Sequence, residues 1–296
     1  MPERNSFAAD FYLACARGFD RLAAKARTIM REAVTASQAD DGLFAGRGRT
    51  GDLYYTWFGL LLAAVTDAKI NLEGCLEAHA AIDVKSLDLV HGCAWLRINN
   101  SLKLLTLPCL CRCHAVKHIS PPAEEKSRRM VRSLAALPDE AYPQSDPFSP
   151  YSRFLVNTLH GDFGMDAPDA DLSLYRLESG LYANLKGNPE YGVNATASAL
   201  MVISAPEAEP TAGALLELQQ EDGSFKAVEK APCGDLLSTG TAFFALNQYN
   251  MTPKISVKPF LRSCFRANGL FAATPDDPAG DLEYTVYALL ALGGNA

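Results

Sequence analysis

Several residues of this chain have the types and spacing for chemistry. Gly46-Arg47-Gly48-Arg49 stands just ahead of Asp52 and an apolar run. Two guanidiniums in a Gly-rich loop at a helix start can hold an anion, because charge-assisted bonds add to the unpaired N–H groups behind them. The same pair in a solvated loop does no such work. His91 follows Asp88 by three residues; it is either a proton carrier or a packed helix residue beside Cys93 and Trp95. Pro108 opens a run with Cys109, Cys111, Cys113, His114 and His118. On a helix the pair Cys109/Cys113 and the pair His114/His118 point about 100° apart, which suits buried or redox-sensitive thiols better than one tetrahedral ion.

A repeated phrase organises the chain. Asp41-Gly42-Leu43-Phe44 leads to Asp52 and Thr56. Ser179-Gly180-Leu181-Tyr182 leads to Thr196, Asp222-Gly223-Ser224-Phe225 to Asp235 and Thr239, and Asn268-Gly269-Leu270-Phe271 to Asp281 and Thr285. The aromatic residue precedes the Thr by 14 positions in the last three copies and by 12 in the first. The turn glycines are separated by 138, 43 and 46 residues, and the first gap is three times the last. Two worn repeats are therefore expected inside it, one at Asp88-Leu89-Val90-His91 and one at Pro150-Tyr151-Ser152-Arg153-Phe154, which makes six.

Each repeat reads as a Gly turn, a loop, an Asp and an apolar Ala/Leu-rich helix. Such helices have no polar face and are buried on both sides, while segments 212–220 and 127–137 between them are amphipathic. Strand patterning is nearly absent. The expected fold is all-α, an (α/α)6 toroid of six helix-hairpin repeats, forming one domain over 1–296. Residues 1–36 read as one N-terminal helix, the repeats run from about 36, and the middle, 66–176, is degenerate. Segments 138–150 and 162–171 read as loops. Asp52, Asp88, Asp235 and Asp281 recur at one position and are expected to be helix N-caps.

The net charge of −7 argues against nucleic acid, which needs a basic stripe. No run is long enough for a membrane span, and the N-terminus lacks the apolar core of a signal peptide. Eight cysteines without an export signal point to reduced thiols and a cytoplasmic location.

The repeats resemble those of protein prenyltransferase β subunits and squalene cyclases. The likeness is carried by Asp41-Gly42-Leu43-Phe44-Ala45-Gly46-Arg47 with Tyr55-Thr56, and by Gly269-Leu270-Phe271 through Tyr284-Thr285-Val286-Tyr287. It covers about residue 36 onward, weakly in the middle, and is more specific for a toroid than for a chemistry. It implies a central funnel of aromatic inner-helix residues (Tyr54, Tyr55, Trp57, Trp95, Tyr151, Phe154, Phe243, Phe244, Tyr284 and Tyr287) for an isoprenoid tail, about half of them facing outward instead. It also implies a diphosphate at Arg47 and Arg49. Of the family's zinc triad Asp235 is present, but Leu237 and Tyr284 replace the Cys and the His. Asp235 with Cys233 as a displaced thiolate is the candidate zinc pair, and Asp235 and His91 are the catalytic candidates. The Asp-x-Asp-Asp acid of the cyclases is absent. Prenyl transfer is one expectation. A non-catalytic toroid binding an isoprenoid, a peptide or a protein partner is another, and terpenoid cyclisation is third.

Overall fold

Each repeat resolves into a turn locked onto a buried helix, and the recurrent Asp and Thr are the two halves of the lock. The computed structural model describes residues 6–118, 125–134 and 149–294. Among them are thirteen α-helices: α1 Phe7–Asp20, α2 Ala24–Ala36, α3 Leu53–Thr66, α4 Leu72–Ala81, α5 Leu89–Leu105, α6 Cys109–Ala115, α7 Glu125–Leu134, α8 Pro150–Asp162, α9 Val193–Leu200, α10 Ala205–Leu216, α11 Leu236–Gln248, α12 Lys258–Cys264 and α13 Leu282–Gly293. The described residues contain isolated β-bridges and no strand. None of their helices is long and apolar enough to cross a membrane.

The four Asp residues are N-caps. Asp52 accepts the N–H of Tyr55 at 2.8 Å, Asp88 that of His91 at 2.8 Å, Asp235 that of Ser238 at 2.8 Å and Asp281 that of Tyr284 at 3.1 Å. One turn into the helix the Thr hydroxyl accepts the backbone N–H of the turn aromatic. Phe44 donates to Thr56 at 2.9 Å, Tyr182 to Thr196 at 3.0 Å, Phe225 to Thr239 at 2.9 Å and Phe271 to Thr285 at 2.9 Å. This bond is the reason for the fixed aromatic-to-Thr spacing. Replacing Thr239 by Val keeps the volume but strands the Phe225 N–H in the core. A loss of about 2 kcal/mol is expected in denaturant unfolding. Thr241→Val removes only a hydroxyl bonded to Leu237 within the same helix and should cost under about 0.5 kcal/mol.

Six apolar helices close a circuit: α3 packs on α5, α5 on α8, α8 on α9, α9 on α11, α11 on α13, and α13 returns to α3. Around them α2 backs α3, α4 backs α5, α7 lies against α5 and α8, and α10 against α9 and α11. The turn glycines let neighbouring units approach. Gly269 has φ +88°, and a Cβ there would stand 2.8 Å from the Ile29 carbonyl oxygen, so the last turn abuts α2.

Residues 6–36 form two helices, not the single one expected over 1–36. The chain breaks at residues 21–23, where the Arg21 guanidinium caps the end of α13 through the carbonyls of Leu292 and Gly294. That break sends α1 beneath the circuit and α2 outside it. α1 is fixed at the C-terminal ends of the apolar helices: Arg17 Nε donates to Gly293 O at 2.9 Å, Tyr12 Oη to Ala64 O at 3.4 Å, and Ala8 N to Asp162 Oδ1 at 2.9 Å. Asp162, expected to open a loop, is the buried last residue of α8. Most of the expected 138–150 loop, and the end of the 127–137 helix, lie outside the described residues.

Candidate functional site

The capped helix ends converge on a cleft of about 800 Å³, with Asp52, Asp88, His91, Asp235 and Glu283 among its lining. Below it lies a smaller cavity of about 60 Å³, walled by Phe7, Phe11, Tyr54, Trp57, Phe58, Tyr151, Phe154, Phe244 and Tyr287. Tyr54, Val90, Tyr151, Asn194 and Tyr287 border both spaces and form the neck between them. The mouth is thus acidic and the interior aromatic. Inner-helix periodicity explains this, since the N-caps Asp52, Asp88, Ser149 and Asp235 line the mouth and residues further along the same helices face the interior.

Glu283 and Tyr54 meet at the neck, where the Tyr54 hydroxyl donates to Glu283 Oε1 at 2.7 Å. Burial pushes the Glu283 carboxyl up to about 7, with Asp281 adding to the rise, against the opposing pull of the Tyr54 bond and Arg47. Near neutral pH it therefore exchanges a proton readily and can act as acid or base. Across the mouth, His91 Nδ1 lies 2.8 Å from Asp88 Oδ1, so the carboxylate that caps α5 also orients the imidazole. The Asp235 carboxyl is raised by burial, with its N-cap bonds to Ser238 and Leu237 pulling the other way.

The floor of the cavity comes from α1. Phe7 packs on Phe154 and Phe244, with ring centroids 5.3 and 5.8 Å apart, and Phe11 stacks on Trp57 at 5.5 Å. Between Phe7 and Trp57 sits the buried Arg97 guanidinium, 4.7 and 5.0 Å from their ring centroids. Arg97 Nη2 donates to Thr158 Oγ1 at 2.7 Å, and Arg97 Nε lies 3.9 Å from Asp162 Oδ2. Burial holds the Asp162 carboxyl up at about 6, with Arg97 and the α1 amides pulling it back.

Of the expected ligand residues, Tyr54 and Trp57 line the cavity together with Tyr151, Phe154, Phe244 and Tyr287. Trp95 does not: it stacks on His79 of α4, centroids 4.8 Å apart, and its Nε1 donates to His79 O, which places it between α5 and α4. Tyr55 covers Gly46, where a Cβ would clash with its ring, and Tyr284 lies under Arg47 at 5.8 Å. Neither lines the cavity or the mouth. Arg47 is held by two carboxylates, Asp277 Oδ2 at 2.5 Å and Asp281 Oδ2 at 3.1 Å. Arg49 borders a separate surface hollow with Asn268 and Gly280. Sequence reasoning missed Glu283, Arg97, Phe7 and Phe11. Glu283 was findable as a carboxylate one helical turn before Tyr287 on an otherwise apolar helix.

Among the described residues no group of three His, Cys, Asp or Glu is placed to hold an ion. Asp235 serves as an N-cap, and Leu237 and Tyr284 offer no thiolate or imidazole, so the residues present do not fit a three-ligand zinc site. All eight cysteines are free thiols.

No protein-family model and no curated protein matches this sequence.

Proposed function

We propose that this chain is an (α/α)6 toroid of six helix-hairpin repeats that binds an apolar, isoprenoid-type group tip-first, with its head in the mouth. The observation that carries this reading is that Tyr54, Tyr151 and Tyr287 line both the acidic mouth and the aromatic cavity, which places the two spaces side by side. Aromatic walls suit a branched alkene, which offers only apolar area and π contacts. A cavity of about 60 Å³ holds about four water-sized spheres, enough for about one branched five-carbon unit, so the rest of the ligand lies in the mouth. Asp52, Asp88, Asp235 and Glu283 line that mouth, while Arg47 is committed to Asp277 and Asp281. This favours a neutral or cationic head over the diphosphate expected at Arg47 and Arg49. We read it as a binding toroid, with the Glu283–Tyr54 pair as a group poised for proton transfer.

The test is a titration of Trp57 fluorescence in a Trp95→Phe variant with geraniol, geranylamine and geranyl diphosphate. Saturable quenching by geraniol and geranylamine is expected, with the diphosphate at least about tenfold weaker. No saturable change with any of the three would sink the ligand assignment, and tightest binding of the diphosphate would return it to the arginine loop. Geranylamine supplies a further check. Glu283 ionises as pH rises through about 7, so affinity for the ammonium should rise from pH 6 to pH 8 by up to about tenfold. Geraniol should show no such rise, and Glu283→Gln should flatten the ammonium profile.

A further inference from the structure

We propose that the end of the molecule opposite the mouth, built by α6 and α7, docks on an anionic lipid bilayer. Charge is segregated along this chain. Residues 97–134 hold eight Lys or Arg against two Asp or Glu, in a protein of net charge −7. Of these, Arg97 and Arg112 are buried, while Lys103, Lys117, Arg129 and Arg132 are exposed, as are His114 and His118.

Their place in the fold is fixed by the floor. Lys103 lies in the last turn of α5, and α6 starts four residues after that helix ends. Arg112 pins α6 to the end of α3, through Ala64 O at 3.0 Å and Asp67 Oδ1 at 3.0 Å. α7 meets the end of α8, where Val131 O is 3.4 Å from His160 Nε2. The basic residues therefore gather where the apolar helices finish, on the side away from Asp52, Asp88 and Asp235.

An apolar tip projects from the same place. Leu110 is 98 % exposed, and it is flanked by the exposed Cys111 and Cys113. A bare leucine on the same end of the molecule as these basic residues, with Asp67 as a neighbouring carboxylate already paired to Arg112, suits an interface that is anionic outside and apolar a few ångströms deeper, which is the profile of an acidic lipid leaflet. An acidic protein would satisfy the charges but would not call for the projecting Leu110. Docked this way, the mouth faces the aqueous phase. The proposal is independent of the ligand assigned to the cavity.

The experiment is co-sedimentation of the full chain with phosphatidylcholine vesicles, with and without phosphatidylserine. Binding is expected only with phosphatidylserine. Each basic residue at the surface is worth about fivefold in affinity, so Lys103→Glu combined with Lys117→Glu should weaken binding about 25-fold or more. Leu110→Asp should also weaken it. An environment-sensitive fluorophore on Cys111, with Cys109, Cys113 and Cys233 replaced by Ser, should shift to the blue on vesicles. The same fluorophore on Cys233, with Cys109, Cys111 and Cys113 replaced by Ser, should not. Absence of vesicle binding, equal binding to both vesicle types, or binding that leaves the Cys111 probe unshifted would each overturn the proposal. Binding to an acidic protein without binding to vesicles would overturn it as well.

Discussion

Gly269→Ala is expected to destabilise the protein by about 3 kcal/mol, a fall in melting temperature of roughly 6–12 °C. Two costs add. The residue sits at φ +88°, where a side chain is strained, and its Cβ would stand 2.6 Å from Ile29 Cγ2 and 2.8 Å from Ile29 O. Gly187→Ala is the control: φ is +72°, but nothing lies within 4 Å of its Cβ position. It should lose only the backbone part, about 1 kcal/mol. The difference between the two variants measures how tightly the last repeat abuts α2. Equal losses would mean that the circuit of helices is loose at that contact.

The second large effect concerns the buried pair under the cavity. Arg97→Met leaves the Asp162 carboxylate in the core with only the α1 amides and the Ser6 hydroxyl to satisfy it. A loss of about 3–5 kcal/mol at pH 7.5 is expected by denaturant unfolding. The loss should shrink at pH 5, and the sign follows from the titration. Burial already holds Asp162 at about 6, above its usual 3.8, so in the native protein this group lowers stability as pH rises from about 4 to 6. Without the guanidinium the native carboxyl holds its proton to still higher pH, so the variant sheds its buried charge in acid. Arg97→Met combined with Asp162→Asn should recover most of the loss at both pH values. A deficit that is independent of pH and not relieved in the double variant would assign the effect to lost packing against Phe7 and Trp57 instead.

What could be read from the sequence was whatever depends on neighbours in the chain. The Asp caps, the buried apolar helices and the two worn helix starts at Asp88 and Pro150 rest on local backbone needs, and each stands where its pattern placed it. The Asp–Thr grammar was visible as spacing, though its cause, a hydroxyl accepting the turn's N–H, was not. The site was less legible because it is assembled by ring closure. Glu283 has its carboxyl raised by burial at the neck, where it meets Tyr54 from the far end of the chain. Trp95 belongs to an apolar helix buried on both faces, and nothing in its own segment tells the face toward α4 from the face toward the cavity. Phe7 and Phe11 became cavity floor because the break at residues 21–23 turned α1 under the circuit, and no Pro or Gly marks that break. The arginine loop had the right residues for an anion, but two carboxylates from the last repeat already hold Arg47.

The grip of Asp277 and Asp281 on Arg47 joins residues as much as 234 positions apart. Contacts of such span, like the still longer one from Arg17 to Gly293, carry a large loop-closure cost and are expected to form after the intervening units have ordered. The seam where the two ends of the chain meet is then expected to be the last part of the native structure to assemble and the first to part. Weakening it should speed unfolding and leave the folding rate nearly unchanged, as for any contact made after the transition state. The loss at Gly269 should accordingly fall on the unfolding limb of the kinetics. The lifetime of the folded state should then depend on how firmly the two ends of the chain hold each other, as well as on how each repeat is packed.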